Sequence, residues 1–131
     1  GALLYTGCGV ARSASSLTDT LERVRELRAE FWRDVKVDGR AGQINQELEK
    51  AGRVADFLEL AELMVVDALD RTESCGAHFR AEHVLPDGEA RRDDVHWANV
   101  SAWETTPDGG HRRHSEPLTY QLVPLQVRDY R

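Results

Sequence analysis

Several classes of protein are closed to this chain by what it lacks. It has two cysteines, Cys8 and Cys75, in 131 residues. That is too few for a secreted disulfide framework and favours a reduced, cytosolic setting. Its formal net charge is −6, so it offers no positive stripe for a nucleic-acid backbone. No stretch approaches the 18 or so consecutive apolar residues of a membrane span. Neither standard glycine-rich phosphate loop is present. Proline is scarce, with four in all and none before Pro86, which leaves the first two-thirds free to be helical. The opening GALLYTGCGVA has no initiator methionine and no basic n-region, so it reads as the start of a piece of a larger protein and not as a signal peptide. The length suits a single domain.

The dominant element runs from Asn45 to about Thr72. Leu48, Ala51, Val54, Ala55, Leu58, Ala61, Val65 and Leu69 recur at the three- and four-residue steps of a buried helical stripe. Asn45 is the expected N-cap, with Glu47 and Glu49 at the positive end of the helix dipole. Phe57, Leu60, Leu63, Met64, Val66 and Ala68 widen the apolar surface, so this helix needs neighbours on more than one side. A helix start is expected at Ser16, with Asp19 at N3 of a capping box. That helix runs to about Asp34 with Leu17, Leu21, Val24, Leu27 and Phe31 on one face. The turn Val37–Gly42 makes the two helices antiparallel neighbours, packed through Leu21, Val24, Leu27 and Phe31 against Leu48, Val54, Leu58 and Val65. Residues 1–12 are ambiguous and supply the third partner.

Cys75-Gly76 is expected to end the long helix. Beyond it the periodicity is lost. Arg92-Asp93-Asp94 can cap a short helical turn. Trp97–Glu104 and 118–123 both alternate and flank Pro107–Gly110, which predicts a β-hairpin. The fold class is therefore mainly α: a three-helix bundle of spectrin-repeat type over residues 1–75, with an irregular segment and β-hairpin over 76–131 packed on it.

The chemistry-bearing residues are sparse. Cys75, His78 and His83, with His96, His111 and His114, lack the paired spacing of a zinc site; hydrogen-bonded structural histidines are the simpler reading, and no metal is expected. Cys75 beside His78 is a Cys–His neighbour pair, but catalytic triads are assembled across a fold. Trp32, Trp97 and Trp103 are most simply packing residues.

One set of segments carries a resemblance. Arg71-Thr72-Glu73-Ser74-Cys75-Gly76-Ala77-His78-Phe79-Arg80 is followed by Arg92-Asp93-Asp94 and then by the Trp97–Trp103 strand. This resembles the C-terminal region of the flavoprotein subunit of succinate dehydrogenase and fumarate reductase. Members carry Glu-Ser-(Arg or Cys)-Gly-(Ala or Gly)-His-x-Arg and then Arg-Asp-Asp-Glu-Asn. NQELEKAGRVADFLELAELM, FWRDVKV and the closing SEPLTYQLVPLQVRDYR are similar to stretches of the same family, in the same order. The departures are Cys75 where many members have arginine, Val95-His96 in place of Glu-Asn, and Tyr5-Thr6-Gly7 where relatives read as uninterrupted helix.

The resemblance implies a parent that interconverts succinate and fumarate, with FAD in the parent and iron–sulfur clusters in a partner subunit. It places the reacting residues and the flavin site in preceding domains, so no catalytic or cofactor-binding residue is expected in this chain. Its partners would be the flavin domain of the same chain and the iron–sulfur subunit. Its location would be cytoplasmic, at the inner face of the cell membrane through the parent complex. Glu73, Ser74, His78, Arg80, Arg92, Asp93 and Asp94 are the candidate interdomain contacts. Arg80 is expected at a surface junction, where truncation to alanine changes stability by less than about 0.5 kcal/mol. Two alternatives remain: the C-terminus of a related flavoprotein such as L-aspartate oxidase, and a free-standing helical interaction module.

Overall fold

The computed structural model describes residues 1–40 and 42–126. In chain order the elements are α1 (Ala2–Gly7), β1 (Ala11–Arg12), α2 (Ala14–Asp34), α3 (Gln46–Asp70), β2 (Phe79–Arg80), α4 (Asp94–Trp97), β3 (Asn99–Thr105) and β4 (His111–Pro117). The chain is mainly helical, as its periodicity predicts. Two compact units divide it, Gly1–Arg92 and Asp93 onward. The first holds α1, α2 and α3, and residues 76–92 belong to it through their contacts.

Local capping explains where the helices begin. The Ser13 hydroxyl accepts the Ser16 backbone N–H at 3.1 Å, and Ser16 Oγ accepts the Ser13 N–H at 3.0 Å. This reciprocal box starts α2 a turn earlier than expected, and a serine takes the N3 role assigned to Asp19. Asn45 caps α3 as expected: its side-chain oxygen accepts the N–H groups of Glu47 and Leu48. Its amide donates to the Asp38 carbonyl at 2.9 Å, which ties the turn between the helices to the start of α3. Ala41 of that turn lies outside the described residues.

The two long helices are antiparallel. Arg25 donates to Glu62 at 2.8 Å, and Arg28 reaches Glu62 at 2.6 Å and Glu59 at 3.6 Å, so partners descend on α3 as they ascend on α2. Glu62 is buried. A carboxylate so placed needs its cations, and the pair fixes the helix register.

The core is Leu17, Leu21, Val65 and Ala68, with Leu4, Cys8, Val66 and Leu69 packed against it. Leu21, Val24 and Val65 are inside, as their stripes require. Leu48, Val54 and Leu27 are not, and Leu48 is 60 % exposed. The packing expected of them fails because the core gathers at the end of the pair that α1 covers. A parallel two-residue pairing of β1 with β2 closes that end, with Phe79 N–H donating to Val10 and Ala81 N–H to Arg12.

α3 stops at Asp70, ahead of the expected Cys75-Gly76 stop. Gly76 does take a positive φ of 58°, but in a separate tight turn that Cys75 and His78 close by exchanging backbone hydrogen bonds.

In the second unit, the Asp93 side chain accepts the His96 N–H at 3.2 Å and starts α4, and Trp97 closes that turn. β3 pairs antiparallel with β4 from Asn99↔Pro117 to Thr105↔His111. The hairpin is where the sequence places it, but its return strand is 111–117 and not 118–123. The tip is tight, with Thr106 N–H donating to Gly110 and Gly109 N–H to Thr106, so pairing resumes at once and the alternating 118–123 stretch falls beyond it. Arg113 lies 4.7 Å over the Trp97 ring. Residues 127–131, the end of the closing stretch, lie outside the described residues.

Candidate functional site

A helix C-terminus leaves backbone carbonyls without intrahelical donors. At the end of α3 Arg80 supplies them. Its Nη1 donates to the carbonyls of Ala68 at 2.9 Å, Leu69 at 3.2 Å and Arg71 at 3.2 Å. The side chain is 4 % exposed. Arg80 is thus a buried helix cap and not a surface residue, so the surface position on which the expectation of a nearly neutral truncation rests does not hold. One guanidinium nitrogen serves the three carbonyls while Nε of the same group faces the Glu82 carboxylate at 3.4 Å, so the group works in two directions at once.

The other residues of the segment hold that group in place. Ser74, fully buried, accepts the Arg80 N–H at 2.8 Å and donates to the Arg80 carbonyl at 3.1 Å. His78 Nε2 meets the Arg71 carbonyl at 3.0 Å; a carbonyl only accepts, so the proton sits on Nε2. Glu73, also buried, accepts from Arg71 Nε at 2.9 Å. From β1, Arg12 Nη2 donates to the Ala77 carbonyl at 3.3 Å and Nη1 lies 3.9 Å from Cys8 Sγ. Glu82 works at the opposite pole: its carboxylate accepts the Ala14 N–H at 2.6 Å, at the start of α2, and lies 3.4 Å from Arg80 Nε. One short segment therefore caps the end of α3 and the beginning of α2.

Burial pushes the His78 pKa down. The hydrogen bond to Arg71 opposes this, and the nearby Arg12, Arg71 and Arg80 guanidiniums add to it. The imidazole is neutral at neutral pH. Burial likewise lowers His83, assisted by Arg80 and Arg91, and its Nδ1 accepts from Arg91 at 3.3 Å. Glu82 is lowered first by its hydrogen bond from Ala14. Burial raises the Cys8 thiol more than Arg12 lowers it, which disfavours the thiolate.

The arrangement is suited to holding backbone. Cys75 and His78 meet through main-chain bonds while the imidazole is committed to Arg71, so they are not a nucleophile and its base. No group of three or more His, Cys, Asp or Glu that could hold a metal occurs among the described residues. Of the seven candidate contact residues, the fold brings Glu73, Ser74, His78 and Arg80 into one cluster. Arg92 closes the first unit, and Asp93 and Asp94 open the second, where they start α4. Arg12 and Glu82 escape a sequence reading because they act on partners far away along the chain.

Against known proteins, a family model described as "Fumarate reductase flavoprotein C-term" matches residues 1–130. The chain belongs to this family. Similar relatives include the fumarate reductase flavoprotein subunits of Serratia sp. (strain ATCC 39006), 29 % identical over 99 % of this chain and 21 % of the relative, and of Helicobacter pylori (strain J99 / ATCC 700824), 35 % identical over 72 % of this chain and 13 % of the relative. A solved quinol fumarate reductase flavoprotein of E. coli, studied as a point mutant, superposes with a TM-score of 0.80 at 28 % identity, over 95 % of this chain and 20 % of that one. A quinol–fumarate reductase solved with menaquinol molecules gives 0.79 at 27 %, over 95 % and 21 %. The chain thus spans 13 % to 21 % of the length of these relatives. In this fumarate reductase flavoprotein C-terminal domain, the resembling stretch Arg71–Arg80 holds the residues that cap the end of α3. No helix among the described residues is long and apolar enough to cross a membrane.

Proposed function

We propose that this chain braces a larger flavoprotein that interconverts succinate and fumarate, with electrons passing through FAD to iron–sulfur clusters of a partner subunit. The domain itself contributes no reacting group. Its segment 73–80 is the junction that seats it on the flavin domain of the same chain and near the iron–sulfur subunit, with Arg92, Asp93 and Asp94 as further contacts. The parent complex would hold it on the cytoplasmic, inner face of the cell membrane.

One observation carries the reading. The polar side chains of the segment, Ser74, His78 and Arg80, are spent on backbone groups within the chain. That makes the segment rigid and leaves no side chain poised for acid–base or nucleophilic work. Rigid presentation of a surface is what a brace requires.

The test is Arg80→Lys in the full parent, scored by flavin per chain, partner-subunit recovery and turnover per bound flavin. The expected result is reduced flavin loading or subunit recovery with turnover per flavin unchanged. Normal flavin content with a collapse in turnover per flavin would place Arg80 in the reaction and end this reading.

A further inference from the structure

Three aspartates of the chain are followed directly by glycine: Asp38-Gly39, Asp87-Gly88 and Asp108-Gly109. Such a pair carries its own chemistry. The glycine amide nitrogen can attack Cγ of the aspartate side chain, and glycine has no β-carbon to obstruct the approach. What separates the three pairs is hydrogen bonding.

At Asp87 and Asp108 both reacting groups are engaged. The Gly88 N–H donates to the Leu85 carbonyl at 2.9 Å, and the Gly109 N–H to the Thr106 carbonyl at 2.8 Å. These are the nitrogens that would have to attack. Asp87 Oδ1 accepts the Glu89 N–H at 3.2 Å. Asp108 Oδ1 accepts from the Thr106 hydroxyl and from the Gly110 N–H at 3.4 Å. These bonds, the Thr106 hydroxyl first, hold the Asp108 carboxyl below the usual carboxylate range, and an ionised carboxylate has no hydroxyl to lose.

Asp38 and Gly39 differ on both counts. They lie exposed in the connection between α2 and α3, outside any helix or strand. Among the described residues neither the Asp38 carboxylate nor the Gly39 N–H has a hydrogen-bond partner. The contact that Asp38 does make is through its main-chain carbonyl, which accepts from Asn45 Nδ2 at 2.9 Å. That bond holds the main chain and leaves the carboxyl untied.

We propose that Asp38-Gly39 is a site of isoaspartate formation, and so a substrate for a protein isoaspartyl carboxyl methyltransferase. Gly39 N forms a bond to Asp38 Cγ. The carboxyl hydroxyl and the amide proton leave as water, and a five-membered succinimide results. Water then adds at one of its two carbonyls. Opening at Cγ restores aspartate. Opening at the main-chain carbonyl carbon leaves the chain running through Cβ and Cγ, with the former main-chain carbonyl as a free carboxylate. Water is the sole co-reactant. The methyltransferase moves a methyl group from a sulfonium donor to that carboxylate, and the donor leaves as a thioether.

The added methylene enters the backbone beside a cap. A β-carbon on Gly39 would lie 2.2 Å from Asn45 Nδ2, so Gly39 packs directly against the side chain that starts α3. Lengthening the chain there displaces the Asn45 amide, whose oxygen holds the N–H groups of Glu47 and Leu48. Isoaspartate at position 38 therefore loosens the first turn of α3.

The test is peptide mapping of the full-length protein that carries this chain, aged in neutral buffer at physiological temperature. Isoaspartate is located by the failure of an aspartate-directed endoprotease to cut, and quantified by methyl transfer from S-adenosylmethionine with a purified isoaspartyl methyltransferase. It should accumulate at position 38 at least about tenfold faster than at 87 or 108, where the bonds to the glycine nitrogen and to the carboxylate must break first. Asp38→Glu, for which the same attack needs a six-membered ring, should remove the signal at 38 and leave the others. In urea the three sites should age at similar rates. Equal accumulation at the three folded sites, no isoaspartate at 38, or an order that persists unchanged in urea overturns the proposal. Hydrogen exchange on the aged protein, with modified and unmodified peptides resolved, reads the effect on α3. The Glu47 and Leu48 amides should exchange about fivefold faster in modified molecules, the loss expected for an N-cap. Equal exchange in the two forms overturns the link to α3.

Discussion

The Arg80 guanidinium donates to the Ala68 carbonyl at 2.9 Å, across the end of the helix that precedes it. The same nitrogen reaches Leu69 and Arg71, so a single side chain satisfies three of the carbonyls that α3 leaves open. The helix stops at Asp70 with its end already capped, and the chain can turn sharply into the 73–80 segment.

Arg80→Ala should therefore destabilise the chain strongly. A hydrogen bond to a charged group is worth about 1.5–3 kcal/mol, and the loss of one nitrogen shared among three carbonyls should total on the order of 3 kcal/mol by the same scale. Arg80→Lys should recover only part of it, since lysine has no second donor at the position of Nε to face Glu82 while its ammonium serves the carbonyls. Urea unfolding at neutral pH measures both. A loss under about 0.5 kcal/mol for the alanine variant, the range of ordinary surface substitutions, would show that the cap does not hold in solution.

Glu82 is bonded to the start of α2, and its pKa is lowered first by the Ala14 N–H and also by Arg80. A carboxyl lowered on folding stabilises the native state above its unfolded pKa, and that contribution is lost as pH falls through the folded value. Glu82→Gln should cost about 0.3–1 kcal/mol at pH 7, the range for a charge at a helix N-terminus, and the low end applies because the side chain is 42 % exposed. The difference between variant and parent sequence should vanish in acid, below the folded pKa. A difference that stays constant from pH 7 to strong acid would exclude a charge effect.

His78 gives a second pH dependence in the same direction for a different reason. Its pKa is lowered from 6.5, chiefly by burial, so the unfolded chain binds a proton that the folded chain refuses. Stability from this source is complete above 6.5 and falls as pH drops from there towards the folded pKa. Thermal unfolding of the chain and of His78→Gln between pH 7.5 and 5 should show a shallower decline in the variant. Parallel curves would mean that His78 titrates normally.

Gly7 closes α1 against α2. A β-carbon added there would sit 1.8 Å from Thr20 Oγ1, and Thr20 is itself buried and bonded to the Ser16 carbonyl at 2.6 Å. Gly7→Ala should cost about 1–3 kcal/mol by overpacking. Adding Thr20→Ala should recover part of the loss, and a double-mutant cycle on the folded chain measures the coupling. Additive effects would mean that the two residues do not touch.

The amino-acid sequence by itself determined the mainly helical class, the antiparallel long helices, the Asn45 cap, the hairpin tip and the family. Each of these is written in residues that act on neighbours within a few positions. Asn45 bonds the next turn, Pro107–Gly110 reverses the chain, and apolar stripes repeat at the pitch of the helix they build. The tertiary structure decided the rest. Glu82 caps α2 at Ala14, 68 residues away in sequence, and Arg80 acts on carbonyls behind it. Both depend on how the chain folds back after α3. Leu48 and Val54 carry the same periodic signal as Val65 and yet lie exposed, because a stripe states which face is apolar and not what arrives to cover it. Residues 118–123 alternate as well as a paired strand does, but the tight tip gives β3 its partner first. Periodicity and capping are local and can be read along the chain; a cap supplied from a distance, and the burial of a face, exist only once the elements have met.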